Sequence, residues 1–363
     1  MAQLARDPKV VKLAKDLGLN WRGDCLAAIR DHALAQIEAI KCGSPIEIAD
    51  LDVLRRIVAD RFRVKLEFIH DDADIERIAA EHSGCHSLLR QRLVAEFVHG
   101  DTEGITIERE EWDPRFYQYL AVVDARDDRA ARAYFTAWHE LAHLLVHPAQ
   151  LPFPGFRRTP AAAERHKDPI ESVVDHVAGR VAFHPPLFRP ALEHAIADHR
   201  GLTFKALEAA RDAAAPTASL FATAMGSIQV VDGPVLLVTA DMALKAEERR
   251  FSRGLQTAMD FAAHTVQEKL RVTTVAPNDF VAGSQLAIRR NMRVPADSVI
   301  ARAHASDVDV TLGADEDQRS WETSRGGALP ALRIRVEAAR RGRYVYGVIR
   351  PIDGGLPRGL TAR

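Results

Sequence analysis

The residues with the most chemical potential in this 363-residue chain are His139, Glu140 and His143, spaced as His-Glu-Leu-Ala-His. On a helix, side chains four apart share one face, so both imidazoles can grip one metal ion while Glu140 is turned to the flank. From the flank a carboxylate reaches a water molecule rather than the ion, which is the arrangement of a metal-assisted hydrolase. With 15 histidines in the sequence, about 0.04 accidental matches to this pattern are expected, so its surroundings must carry the rest of the case. Tyr134, Trp138, Leu141 and Leu145 make an apolar stripe for docking the helix, and Phe135, His139, His143 and His147 follow a neighbouring stripe. Imidazoles and a carboxylate beside an apolar face need polar partners, and a metal ion supplies them directly. His147 is read differently, as a C-terminal residue that gains from the helix dipole.

A catalytic zinc typically takes three protein ligands and keeps one position for water, so a third ligand must come from another element. The best candidate is Glu171 in the segment Asp168-Pro-Ile-Glu-Ser-Val-Val-Asp-His176. Asp168 is a helix N-cap with Pro169 at the first helical position, and Glu171 and Asp175 share the face opposite Val173, Val174, Val177 and Val181. Glu171 also falls at the third helical position, where a carboxylate can serve unpaired N–H groups. Ligation and capping are therefore both open to it, and ligation is the preferred reading. Asp175 is expected to brace His139 or His143 through the ring nitrogen facing away from the ion. For the group that steadies a developing oxyanion, His147, His166, His176 and Tyr119 are all candidates, and spacing does not choose among them.

The helix carrying these histidines is expected from a cap at Asp127 and Asp128 to His147, stopped by Pro148. A loop rich in proline and basic residues, Leu151–Lys167, leads to the helix capped by Asp168, which ends near Pro185. Upstream, residues 8–40 read as one helix, Leu51–Asp60 as another, and Val64–Ile69, Gly104–Glu108 and Tyr119–Asp124 as strands. Downstream, Arg189–His199, Thr203–Ala213 and Thr217–Met225 form three short helices separated by Gly201 and Pro216, a spacing like that of a helix-turn-helix. After Gly226 the texture changes to strands at Ile228–Val231, Val235–Thr239, Leu332–Val336 and Tyr344–Ile349, with a helix near Leu255–Leu270. A domain boundary is placed there.

The stretch Arg132-Ala-Tyr-Phe135-Thr136-Ala-Trp-His139-Glu140-Leu-Ala-His143-Leu-Leu is similar to the R-x-x-F-T-x-x-H-E-x-x-H-x-x segment of ImmA/IrrE-type metallopeptidases. The segment from Glu171 to Pro185 resembles that family's E-x-x-A-N-x-F-A-x-x-L-L-x-P helix, with Asp175 in place of Asn, Val174 in place of Ala and Pro185 one residue late. It also resembles the gluzincin pattern, in which an aspartate four residues after the ligand glutamate supports a zinc histidine. The resemblance covers residues 45–225 and implies an α+β fold. A zincin-like metallopeptidase domain with an N-terminal helical extension would occupy 1–185, a small helix-turn-helix-like subdomain 186–225, and a mixed α/β, GAF-like sensor domain 226–363. It further implies a zinc ion held by His139, His143 and Glu171, with Glu140 as base. The implied activity is a zinc-dependent endopeptidase that cuts a helix-turn-helix transcriptional repressor during a stress or DNA-damage response.

Lys plus Arg number 49 against 50 Asp plus Glu, a net charge of −1, so no global field draws the chain to nucleic acid or an anionic membrane. Cys25, Cys42 and Cys85 form no CxxC pair, which argues against a disulfide framework or a thiolate zinc knuckle and fits a reducing compartment. The N-terminus shows no apolar signal region, and the uncharged run Ala213–Val231 contains Pro216 and Gly226, so a cytoplasmic protein without a membrane span is expected. Cys85-His86 raises the further possibility of a thiol that covers the metal.

A competing reading is a DNA-binding transcriptional regulator whose metal helix is structural or vestigial. It needs a basic recognition helix, yet Thr203–Ala213 sets Lys205 and Arg211 against Glu208 and Asp212. From Ala331 onward eight arginines surround Tyr344 and Tyr346, which suits either a nucleic-acid module or two alternating strands with arginines outward. The strand reading is preferred, with the acidic run Asp307–Asp317 as an intramolecular partner.

Overall fold

The computed structural model describes residues 4–21, 23–84, 88–98, 102–109, 113, 115–147, 168–245, 248, 267–323 and 326–352, together with the backbone of 155–158. Cys85, His86, Pro148, His166, most of the 151–167 loop and residues 255–266 of the expected C-terminal helix lie outside the described residues. The fold is mixed α+β with two sheets. The chain divides into two units, one formed by residues 1–191 and 211–226 and the other by 192–210 and 227–363. The 186–225 segment is thus shared between them.

In the first unit, the single helix expected over residues 8–40 is two, α1 (Pro8–Asp16) and α2 (Cys25–Gly43). Gly18 and Gly23 lie between them with φ of +68° and +91°, a left-handed conformation that a right-handed helix cannot absorb. Then follow α3 (Leu51–Arg61), β1 (Val64–Ile69), α4 (Asp72–His82), α5 (Leu89–Phe97), β2 (Thr102–Glu108) and β3 (Tyr119–Asp124). The unit continues with α6 (Ala130–Leu145), β4 (Gly155–Arg158) and α7 (Pro169–Val181). The sheet runs in the order β1-β3-β2-β4, with β1 parallel to β3 and the other pairs antiparallel. Leu120, Ala121, Val122 and Val123 in β3 are completely buried, the apolar run expected of a strand covered on both faces. Ile75, Ile78, Leu89, Leu93 and Phe97 of α4 and α5 form a core with Leu120 and Val122, while Ala133 and Ala137 of α6 pack with Val123.

Helix α6 differs from its expected outline at both ends. A 3-10 turn over Asp127–Arg129, with Asp127 at φ +47°, comes first, and the helix ends at Leu145 rather than His147. From Thr136 to Leu145 every residue is buried, so the helix is enclosed instead of half-exposed. Polar ties hold it there: Arg132 Nε donates to Glu103 Oε1 on β2 at 2.6 Å, Tyr134 Oη to the Ala182 carbonyl at 2.6 Å, and Gln36 Nε2 on α2 to the Leu145 carbonyl at 2.7 Å.

The turn entering α6 is anchored on Asp124, whose fully buried carboxylate accepts from Arg126 at 2.7 Å and also from Arg129. Burial alone would raise the Asp124 pKa, but hydrogen bonds from Arg126 and Arg129 outweigh it and hold the carboxyl below the usual range. A folded-state value below the unfolded one, about 3.9, stabilises the fold above that pH and loses its contribution as pH falls through the folded value. Asp124→Asn is therefore expected to cost about 2–4 kcal/mol at neutral pH. Measured by urea unfolding, that difference from wild type should shrink as pH is lowered from about 5 to about 2; a gap that stays constant with pH would show that Asp124 is not the titrating anchor.

Helices α8 (Pro185–Asp198), α9 (Phe204–Ala214) and α10 (Leu220–Val230) follow. The strand expected at Ile228–Val231 is not formed: Ile228 to Val230 continue α10, because an apolar run of that length suits a buried helix end as well as a strand.

The second unit holds an antiparallel sheet of β5 (Leu236–Ala243), β6 (Lys269–Pro277), β7 (Val310–Asp317), β8 (Arg333–Arg341) and β9 (Tyr344–Pro351), in the order β6-β5-β9-β8-β7. The short helix α11 (Val299–Ala305) places Val299, Ile300 and Ala303 in one core with Leu236, Val238, Ile334, Val336, Val345, Ile349 and Trp321. No clear strand pattern marks β6 and β7 in the sequence, since Thr273, Thr274 and the acidic end of β7 dilute their apolar character. The arginines of β8 are occupied within the chain. Arg335 binds Asp315 at 3.2 Å and Glu337 at 2.7 Å, Arg341 pairs with Glu208, and Arg340 donates to the His304 carbonyl at 2.7 Å.

Candidate metal centre

Two elements build the centre. α6 supplies His139 and His143, one turn apart, and the first two turns of α7 supply Glu171 and Asp175. The two helices pack because α7 turns Val173, Val174, Val177 and Ala178 inward, all without exposure. At the start of α7 Asp168 caps the helix alone, its Oδ1 accepting from the Ile170 amide at 3.0 Å. Glu171 is thereby released from capping and points at the imidazoles: its Oε2 lies 3.1 Å from His139 Nε2 and its Oε1 3.6 Å from His143 Nε2.

The two Nε2 atoms are 3.1 Å apart, and His139, His143 and Glu171 each offer a ligand atom to one point. A four-coordinate ion with nitrogen and oxygen donors at about 2.0–2.1 Å needs those donors roughly 3.3 Å from one another, which is the spacing found here. His139 Nδ1 lies 2.9 Å from Asp175 Oδ1. With Nδ1–H donating to that carboxylate, His139 presents an Nε2 lone pair. Lone pairs and a carboxylate meeting at such distances repel unless a proton or a cation lies among them, so the donor set fits a metal ion. Burial pushes the Glu171 carboxyl up, but the two imidazoles facing it more than offset this and bring its pKa down to about 2 wherever a proton, rather than an ion, lies between them. The group is thus a ready anionic donor.

Glu140, adjacent in sequence, is not among these donors. It is 1% exposed, its Oε2 accepts from Thr106 Oγ1 at 2.7 Å, and its Oε1 has no hydrogen-bond partner among the described residues. His139, His143, Glu171 and Asp175 therefore meet at the α6–α7 contact, with Glu140 on α6 beside them. Thr106 and Gly104 of β2, which face Glu140, carried no sequence signal, because a Thr and a Gly in an apolar strand are unremarkable until the strand is laid across the helix. Tyr119 opens β3 and pairs in register with Val64 and Glu108.

A second His-carboxylate group, Glu67, Glu81 and His82, has its atoms within similar reach. Arg77 lies 3.4 Å from Glu67 and 3.2 Å from Glu81, and Lys65 is 3.6 Å from Glu67, so those carboxylates are already neutralised by cations.

Asp175 should matter to the ion through its contact with His139. Asp175→Ala is expected to weaken metal affinity by about tenfold without abolishing binding, read by competition with a chromogenic chelator. An unchanged affinity would make the Asp175 contact incidental.

The chain thus carries, on an α+β unit, two buried histidines and one partly exposed carboxylate able to hold a metal ion. No protein-family model and no curated protein matches the chain.

Proposed function

We propose that the chain is a zinc-dependent endopeptidase of the ImmA/IrrE type, built on a zincin-like unit and acting in the cytoplasm on a helix-turn-helix transcriptional repressor, as part of a stress or DNA-damage response. The observation that carries this reading is the convergence of His139, His143 and Glu171 beside a buried Glu140 whose Oε1 has no partner among the described residues. Zinc is favoured among metals by the donor set, two imidazoles and a carboxylate on two helices, which leaves room for one further ligand. When bound there, such an ion supplies Lewis acidity, polarising a carbonyl and making water more acidic.

The protein's own groups do the rest. Glu140 Oε1 takes a proton from the attacking water and returns it to the nitrogen of the leaving amine, which cannot depart as an anion. Asp175 keeps His139 in one tautomer and one ring orientation. Glu140 is buried with α6, so its carboxylate is kept from bulk water. The second unit is read as a GAF-like sensor, because an antiparallel sheet with a core of its own can bind a signal without using residues of the metal centre. The DNA-binding alternative loses ground on charge: α9 stays neutral, and Glu208 within it is tied to Arg341.

The test is incubation of the zinc-loaded protein with a helix-turn-helix repressor encoded beside its gene. One new fragment, suppressed by a chelator, is the expected result. A purified wild type that binds no zinc would reject the enzyme reading.

A further inference from the structure

Strand β2 passes α6 closely, and beside the Arg132–Glu103 pair four further positions meet there. Gly104 and Thr106, two apart, share one face of β2, and Thr136 and Glu140, four apart, share one face of α6. A Cβ on Gly104 would stand 2.6 Å from Thr136 Cγ2 and 2.9 Å from Glu140 Oε1, so only glycine fits without moving the strand or the carboxylate. Two positions further along, the Thr106 hydroxyl, itself fully buried, donates to Glu140 Oε2 at 2.7 Å. A carboxylate in such a site would ordinarily have both oxygens satisfied, since each unmade hydrogen bond in the interior is costly. Here one oxygen is held and the other has no partner among the described residues.

We propose that Thr106 is a positioning residue for Glu140. Its hydroxyl fixes Oε2 so that Oε1 alone is presented as the proton-accepting oxygen, in a slot kept open by Gly104. The inference rests on the peptidase reading for its consequence, although the contact itself does not. A general base must meet the proton it takes at hydrogen-bond distance, and a carboxylate free to rotate within a cavity spends part of its time misaligned. A threonine suits this role because its χ1 is stiff on a strand, so the hydroxyl is already aimed and little side-chain freedom is lost. Anchoring from a strand also separates the two jobs, since α6 carries the metal donors and β2 sets the base.

The experiment compares Thr106→Val, nearly the same shape without the hydroxyl, with Thr106→Ser, which restores it. In the metal-free full chain, the infrared carboxylate bands of Glu140 are isolated as the difference between each protein and its Glu140→Gln counterpart. Thr106→Val should change the splitting between the symmetric and antisymmetric bands, and Thr106→Ser should return it to the wild-type value. In the zinc-loaded full chain, cleavage of quenched fluorescent casein should show kcat lowered about 10²-fold in Thr106→Val, with KM and zinc content unchanged, and recovered to within about threefold in Thr106→Ser. Gly104→Ala should lower kcat by a similar factor, because its Cβ claims the space beside Oε1. Unaltered Glu140 bands in Thr106→Val, or a kcat within about twofold of wild type, would overturn the proposal. If the zinc-loaded wild type cleaves neither casein nor a repressor, the peptidase reading fails separately, and the infrared bands still decide whether Thr106 holds Oε2.

Discussion

Glu140→Gln should bind one zinc ion per chain as tightly as the wild type and cleave protein substrate about 10²–10⁴-fold more slowly, the range attributed to a positioned general base. The separation of effects follows from geometry. Glu140 is not one of the atoms that converge on the candidate ion, so exchanging a carboxylate oxygen for an amide leaves His139, His143 and Glu171 untouched. The amide is nearly the same shape, and its carbonyl can still accept from Thr106, which now holds Oε2. What it lacks is an oxygen that can take a proton and hand it on. Zinc analysis by mass spectrometry and a cleavage assay on the same preparation check both halves. Cleavage that survives the substitution would remove Glu140 as the base, and loss of zinc would mean that the carboxylate helps to hold the ion.

Glu171→Ala and His139→Ala should show the opposite pattern. Each deletes one of three protein donors, and zinc affinity is expected to fall by about 10²-fold or more, enough to take the purified protein from one zinc per chain toward none. The same loss should appear in stability. An ion held by the folded chain and not by the unfolded one stabilises it, so saturating zinc should raise the unfolding temperature of the wild type, and this rise should be absent in both variants. Glu171 is the sharper test because a second role was open to it at the start of α7. The side-chain cap of the first turn comes from Asp168, which accepts from the Ile170 amide, so Glu171→Ala should leave the metal-free protein close to wild-type stability while removing the response to zinc. A Glu171→Ala protein that still takes up one tightly held zinc would show that the ion lies elsewhere.

Much of the frame around the centre was legible without coordinates. The strands Val64–Ile69 and Tyr119–Asp124 have the bounds that their β-branched and aromatic runs suggested, because β3 is buried on both faces and its apolar pattern is uninterrupted. The start of α7 was legible from Asp168 and Pro169, whose capping chemistry is local. Less was legible where the deciding contact is distant. The break between α1 and α2 depends on two glycines that a long helical pattern can tolerate, and the end of α10 took in residues with strand-like character because their burial in a helix satisfied the same apolar demand. The arginines of β8 could be assigned to ion pairs only once β7 was known to lie beside them, with Asp315 opposite Arg335.

The spacing of His139, Glu140 and His143 determined by itself that two imidazoles would share a helix face with a carboxylate at its flank, since 3.6 residues per turn leaves no other arrangement. Capping chemistry and the four-residue step from Glu171 to Asp175 likewise determined that one helix would present both acids together. That Glu171 faces the imidazoles, that Asp175 reaches His139, and that Thr106 holds one oxygen of Glu140 while the other has no partner among the described residues came from the packing of distant elements. Periodicity governs which residues share a surface, whereas the meeting of two surfaces is set by core packing between elements dozens of residues apart, which no local pattern contains.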